Sequence, residues 1–313
     1  MKVDIIIIHY LDKASLSMCL EALSEQSLAA HRVFVVDNSD DLPELAHPKL
    51  KLELIKPGKN LGFAAACNLA AKQSKSDWVA FLNPDAFPAR NWLHELSQCV
   101  ETHSKTICFS SKQVFYEAPH LLDGSGDNYH ISGLYWRRGY KQAADRYYPE
   151  RVFSASGAAM LVKRQIFLDL GGFDTDFFSY GEDVDFGFRL QLLNQPCLYC
   201  KDAQVFHRGY SSSGGRHSEF SLYYGHRNLV WVFFKNMPLP FLILFFPLHL
   251  VLTIITLIKF SLQGQMKTIF RAKWDAVKGL PILLKQRQRI QSIRKASLSS
   301  LWRAFTKNLN RTL

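Results

Sequence analysis

Five carboxylates, Asp174, Asp176, Glu182, Asp183 and Asp185, crowd into twelve residues among Phe173, Phe177, Phe178 and Tyr180. Acids interleaved with large aromatics do not read as a solvated face. Asp185 and Arg189 stand four apart on a predicted helix, the spacing at which side chains of opposite charge meet. Glu182 and Asp183 fall at the start of that helix, where the dipole alone favours carboxylates. The chemical reading is a general base at the helix mouth, a carboxylate positioned to take a proton from a bound hydroxyl. Asp85 follows Phe81-Leu82-Asn83-Pro84 and is a candidate to hold a divalent metal, the usual way a carboxylate helps bind phosphates. It would equally serve an Asx turn. Asp37 closes the run RVFVVD and could accept hydrogen bonds from a base or ribose, or be a turn residue. His207 closes another apolar run and is either a rim group or a structural histidine.

The elements that must carry these residues follow from hydrophobic pattern. Val3–His9 is a β-branched run, the mark of a strand buried on both faces. Its apolar core is too short for a signal peptide, so MKVDIIIIHY reads as a first strand. Leu16, Leu20 and Leu23 have helical spacing. Arg32–Asp37, Lys51–Ile55 and Trp78–Leu82 read as strands, with an Ala-rich helix opened by Asn60 as its cap and a further helix near Trp92–Val100. This alternation predicts an α/β fold with a mostly parallel, doubly wound, Rossmann-like sheet. Ligands of such sheets sit beyond the carboxyl ends of the strands. His9, Tyr10, Asp37, Asn38, Asn83 and Asp85 all stand there. Ile107–Tyr116 reads as strand. Glu117–Glu150, with four glycines, reads as a mobile, substrate-facing loop. A short helix over Gln165–Leu170, a helix over Val184–Leu193 and a strand over Leu198–His207 complete the body.

Composition bounds the class. The chain has 313 residues, 48% hydrophobic, which excludes a disordered chain, and no repeat of a fibre or solenoid is visible. Six cysteines do not make a disulfide scaffold, and Cys197-Leu-Tyr-Cys200 lacks the second ligand pair of a zinc site. Thirteen of the 38 Lys and Arg lie from Lys259 onward against one acid, Asp275, so the body is near neutral and the tail carries the net charge of +11. Residues Asn236–Ile258 hold no charge apart from His249, and contain Pro238, Pro240 and Pro247. Beyond them Ile290, Ile293, Leu298, Leu301, Phe305 and Leu309 recur at helical spacing beside Trp302, as in a basic interfacial helix. Two domains are expected, 1–235 and 236–313. Because a single crossing would place the basic tail and the body on opposite sides of the bilayer, the expectation is a monotopic association, bent at Pro247, on the cytoplasmic face. The apolar stripe in the tail suits anionic lipid rather than nucleic acid.

The segments IIIIHY, VVDNSD, NLGFAAACN, FLNPD, SGAAMLVKR, GGFDTDFFSYGEDVDFGFR and HRGYSSS, in this order over residues 3–230, resemble the family 2 glycosyltransferases of GT-A fold. Within them the chain is similar to the bacterial rhamnosyltransferase-like subgroup that builds surface polysaccharides. The resemblance implies an inverting enzyme that moves a sugar, rhamnosyl from a dTDP-sugar, to a lipid-linked or saccharide acceptor. Another hexose from a UDP-sugar is the alternative, and a non-catalytic basic membrane- or nucleic-acid-binding protein is the alternative of another class. It further implies that His9, Tyr10, Asp37, Asn60, Gly62, Asn83 and Asp85 line the donor site, and that Asp85 with His207 holds Mg²⁺ or Mn²⁺. Asp183 would be the base, and Asp174 and Glu182 acceptor contacts. Asn83 stands where the family often has the first Asp of Asp-x-Asp.

Overall fold

The computed structural model describes residues 1–209 and 218–308. Its first half is built from β1 (Val3–His9), α1 (Lys13–Ser24), β2 (Arg32–Asp37), β3 (Leu52–Ile55), α2 (Gly62–Gln73) and β4 (Trp78–Leu82). Every residue of β1 is buried, and its isoleucines divide between two layers. Ile5 and Ile7 pack with Leu16, Leu20 and Leu23 of α1, while Ile6 and Ile8 pack with Ala64, Cys67 and Ala71 of α2. A strand covered on both faces must be apolar at every position, which is why the run does not alternate. β1 pairs in parallel with β2 and β4, and β2 with β3.

The second half departs from this pattern. It comprises β5 (Ala86–Pro88), α3 (Trp92–Thr102), β6 (Cys108–Phe115), β7 (Leu122–Gly124), β8 (Asp127–Tyr129), β9 (Tyr135–Arg137), β10 (Arg151–Val152), β11 (Ala159–Lys163), α4 (Arg164–Asp169), α5 (Glu182–Leu192) and β12 (Cys197–His207). The main path of the sheet is β10-β12-β6-β11-β4-β1-β2-β3, with β5 added to β12 and β7 to β6. β11 enters antiparallel between β4 and β6. No helix lies between β6 and β11; the intervening chain forms β7, β8, β9 and β10 in place of a crossover helix. Cys197 and Cys200 are buried in β12.

Residues 117–150, expected as a mobile loop, instead hold β7 and the β8–β9 hairpin. Three-residue strands are too short to show a period, and their stability comes from burial of Tyr129 against Phe153 and Phe188. Asn60 lies one residue outside the helix cap. Its Oδ1 accepts the Gly62 N–H at 2.8 Å.

Beyond the sheet stand α6 (Glu219–Asn236), α7 (Leu239–Leu262), α8 (Met266–Ser292) and α9 (Leu298–Ala304). The domain boundary expected at 235/236 falls in the last turn of α6. Residues on both sides of it, among them Val184, Phe188, Trp231, Phe233, Ala276 and Leu301, share one apolar cluster. The single interfacial helix expected over Ile290–Leu309 is broken between α8 and α9. Lys295 and Ala296 donate their N–H groups to the Leu192 carbonyl at the end of α5, and Ser297 caps α9. Leu309 lies outside the described residues, as do Tyr210–Ser213 of HRGYSSS.

The bend expected at Pro247 is not a break: α7 continues through it. Packing on either side of the proline holds the turn. Phe245 stacks on Trp302 at 5.9 Å, and His249 stacks on Phe233 at 4.2 Å and bonds the Ser132 carbonyl at 2.8 Å. Burial lowers the His249 pKa to about 4, so α7 carries a neutral imidazole at pH 7. Further along, Phe260 meets His226 at 5.0 Å. The helix therefore touches the body through Phe245, His249, Thr256 and Phe260, and most of its surface is exposed. Its other face exposes Ile243, Leu244, Leu250, Val251, Ile254, Ile255 and Ile258. It is long and apolar enough to suit association with a membrane.

Candidate active site

The ends of β1 and β2 are in register, His9 opposite Asp37. Asp37 is buried and accepts the Leu42 N–H at 2.8 Å, which folds residues 39–42 back over the strand ends. That turn delivers Asp41, whose Oδ1 lies 3.0 Å from His9 Nε2. A hydrogen bond from Ser39, followed by His9 and Lys13, holds the Asp41 pKa down to about 2. His9, Asp37 and Asp41 offer ligand atoms within 4.8 Å of one another, a group able to hold a cation. Asn38 ties this rim to α2, accepting from Leu61 and donating to the Gly62 carbonyl at 3.2 Å. Gly62 has φ +76°, and a Cβ there would meet the Phe178 ring at 2.5 Å, so only glycine fits. Tyr10 stands exposed at the rim.

Asn83 begins the turn after β4, its N–H on the Ala158 carbonyl at 2.9 Å. β5 then pairs with β12, His207 opposite Ala86, which sets Asp85 beside His207. His207 Nε2 lies 3.4 Å from Asp85 Oδ1, and its Nδ1 lies 2.6 Å from Asp123 Oδ2. Asp123 in turn pairs with Arg137. Burial disfavours a charged imidazole, but Asp123 and Asp85 outweigh it and raise the His207 pKa to about 9. Nε2 is buried and makes no hydrogen bond of good geometry. An imidazole with one nitrogen fixed by a carboxylate and the other turned toward a second carboxylate is the arrangement of a metal-ligating histidine. The residues fit a divalent metal, which would compete with the proton on Nε2.

The third group surrounds the mouth of α5. Asp183 is half-buried, with Oδ2 accepting the Gly157 N–H and Oδ1 its neighbour Val184's N–H, each at 2.8 Å. Burial raises its pKa, and these two N–H groups only partly offset the effect. Burial and then the Asp183 charge push Glu182 well above the carboxylate range and Asp127 up to about 8. Glu182 Oε2 and the Tyr135 hydroxyl have no hydrogen-bond partner among the described residues. The preceding loop is strained. Phe178 and Tyr180 have φ of 65° and 66°, a costly conformation for aromatic residues. Asn228 of α6 holds it by donating to the carbonyls of Phe177, Ser179 and Tyr180.

Of the acids read from the sequence, Asp183 and Glu182 stand at this helix mouth, Asp183 half-buried and Glu182 buried. Asp185 does not. It is fully buried on the other side of α5, bonded to Arg189, Lys235 and Asn236. Asp174 is taken by Lys235. The sequence pattern does not mark Asp41, Asp123, Asp127, Tyr135 or Arg137. Four of them lie in the segment that reads as loop, where Asp123-Gly-Ser-Gly-Asp127 between short aromatic runs is the one available signal.

The chain matches the description "Glycosyl transferase family 2" over residues 4–171 and "Glycosyl transferase family group 2" over residues 127–283. It belongs to glycosyl transferase family 2. This glycosyltransferase is 28% identical over 227 residues to N-acetylglucosaminyl-diphospho-decaprenol L-rhamnosyltransferase of Mycobacterium tuberculosis, covering 61% of this chain and 72% of that one. It is 28% identical over 194 residues to rhamnosyltransferase WbbL of Escherichia coli, covering 56% and 72%. Its fold matches S. aureus TarS 1–349 in complex with UDP-GlcNAc at a TM-score of 0.60 and 16% identity, over 98% and 93% of the two chains. The fold of this glycosyltransferase is therefore GT-A-like, and the reading of the chain as a non-catalytic basic binding protein falls away.

Proposed function

We propose that this glycosyltransferase is an inverting enzyme of surface-polysaccharide assembly, with Asp183 as its base. The carrying observation is the carboxylate itself. It is half-buried at the helix mouth, fixed by two backbone N–H groups, and raised in pKa, so it is both oriented and basic. The acceptor O–H proton passes to Asp183 as that oxygen bonds the anomeric carbon. The bond from that carbon to the diphosphate breaks, and its electron pair leaves with the diphosphate. One displacement inverts the centre. Glu182 and Tyr135, with polar atoms awaiting partners, would receive acceptor hydroxyls. Asp174, held by Lys235, would act on the acceptor only through the loop it anchors.

On the donor side, His9, Tyr10 and Asp37 would receive the nucleoside, with Asn60 and Gly62 shaping the wall. Asn83 and Asp85 would stand at the diphosphate. A divalent metal held by Asp85 and His207 would neutralise the charge of the leaving diphosphate. Asp123 and Arg137 keep His207 Nε2 directed to that position. A rhamnosyl donor is best supported, because both relatives above are rhamnosyltransferases, and dTDP as its carrier follows only from the sequence resemblance. Residues 1–235 would form the catalytic unit and 236–313 the membrane-associating unit. The exposed face of α7 and the basic tail would rest on anionic lipid at the cytoplasmic face, within reach of a lipid-linked acceptor.

The test is turnover of a panel of nucleotide sugars by purified protein, before and after chelation with EDTA. Transfer from dTDP-rhamnose that stops on chelation and returns with Mg²⁺ or Mn²⁺ is expected. Preference for a UDP-hexose would overturn the donor, and full activity after chelation would overturn the metal.

A further inference from the structure

A shallow, open recess of about 410 Å³ lies where α6 ends and α7 begins, and none of its lining residues belongs to the groups around Asp183, His207 or His9. Its volume suits a small organic ligand. Arg287, Gln288, Gln291 and Arg294 of α8 and the segment after it supply the polar wall, and no acid lines it. Arg287 is 9% exposed. Its Nη1 donates to the Phe234 carbonyl at 2.8 Å, which fixes the plane of the guanidinium, and its other donors have no acceptor among the described residues. Gln291 is fixed in the same way by the Asn236 carbonyl. The first turn of α7 enters the recess with no side-chain cap, so the positive end of a 24-residue helix adds to the two arginines.

The remaining wall is apolar and leads outward. Leu239 and Leu284 line the recess, yet they are 59% and 53% exposed. Leu284 continues the exposed stripe Phe270, Trp274 and Val277 along α8, and Leu239 begins the exposed face of α7. A fixed planar donor set for an anion thus stands at the edge of the surface read above as facing lipid.

We propose that this recess is a headgroup site for one anionic phospholipid. Its phosphate lies between Arg287 and Arg294, and its acyl chains run over Leu239 and Leu284. Inorganic phosphate offers the same anion, but it has no use for an apolar wall continuous with the exposed stripe. The inference rests on the membrane-surface reading of the protein, and the test separates the two.

Full-length protein is sedimented with phosphatidylcholine vesicles, with and without phosphatidylglycerol. Arg294→Lys keeps the charge and loses the planar fork. It should weaken binding to the anionic vesicles roughly tenfold, as loss of a charge-assisted hydrogen bond does. Arg287→Lys should act in the same direction, and Lys278→Arg should bind as wild type. Thermal melting of each variant guards against misfolding. Wild-type binding by both Arg→Lys variants would reduce the site to diffuse surface charge and overturn it. Binding of inorganic phosphate alone, tighter than that of the vesicles and lost in Arg294→Lys, would make it a free-anion site and overturn the lipid. Wild-type protein that sediments with neither vesicle would overturn the membrane reading itself.

Discussion

The two sides of α5 hold carboxylates two residues apart that behave in opposite ways. Asp183 stands at the helix mouth, where burial raises its pKa more than the Gly157 and Val184 N–H groups lower it. Asp185 faces α6. Burial pushes it up as well, but Lys235, Arg189 and Asn236 outweigh that and hold it below the ordinary carboxylate value. Burial acts on both acids, but Lys235 and Arg189 pair directly with Asp185, whereas the Arg137 charge reaches Asp183 only weakly. Desolvation without a direct ion pair leaves a carboxylate basic, and desolvation with one leaves it an ionised strut. The same contrast separates Glu182, which lacks a partner for Oε2, from Asp174, which has Lys235.

The hardest test of this contrast is removal of each charge in turn. Asp183→Asn should lower turnover by roughly 10²–10⁴-fold, the range for a positioned general base, with the melting temperature unchanged or higher. Near wild-type transfer in a single-turnover assay would place the base elsewhere. Lys235→Met should do the reverse. It leaves buried Asp185 with Arg189 and Asn236 alone and takes the cation from half-buried Asp174, so a loss of up to about 3 kcal/mol, the low end for a broken buried pair, is expected by urea denaturation. A variant as stable as the parent would show that the strut is decorative.

A smaller effect comes from pH. The folded-state pKa of Asp185 is lowered, so its contribution to stability is complete above the unfolded value of about 3.9 and fades as pH falls through the folded value. The raised pKa of Asp183 has the opposite sign, with the folded state gaining protons and stability as pH falls toward the unfolded value. If Asp183 is the base proposed above, transfer requires it ionised, so the acid limb of kcat/KM should lie above about pH 4, and this limb should vanish in Asp183→Asn. An acid limb at or below about pH 4, the range of an ordinary aspartate, would remove the raised base. Asp127→Asn should have the least effect. With its pKa pushed up to about 8, Asp127 is mostly protonated at pH 7, and the amide reproduces a neutral hydrogen-bonding group. We expect less than roughly a tenfold loss at pH 7, within the reach of one neutral hydrogen bond. A loss as large as that of Asp183→Asn would make Asp127 a charged participant.

The strand ends carrying His9, Asp37, Asn83 and Asp85 were legible in the sequence because fully buried strands are continuous apolar runs, and the first polar residue after such a run marks the rim. The helix mouth at Asp183 was legible because a cluster of acids among large aromatics does not suit a solvated surface. The charge divide at Lys259 was also plain. Three things were settled only by the tertiary structure. Asp123, Asp127 and Arg137 sit on strands of three residues, too short for any period to register, and long-range pairing and packing give them their place. The sequence pairs Asp185 with Arg189 four residues on, but only the packing of α6 against α5 supplies Lys235 and Asn236 to it. The apolar segment around Pro247 has the length of a membrane span, and length says nothing about its neighbours. The contacts of Phe245, His249 and Phe260 lay it along the body, because a stripe of side chains meets specific partners that the sequence separates by tens of residues.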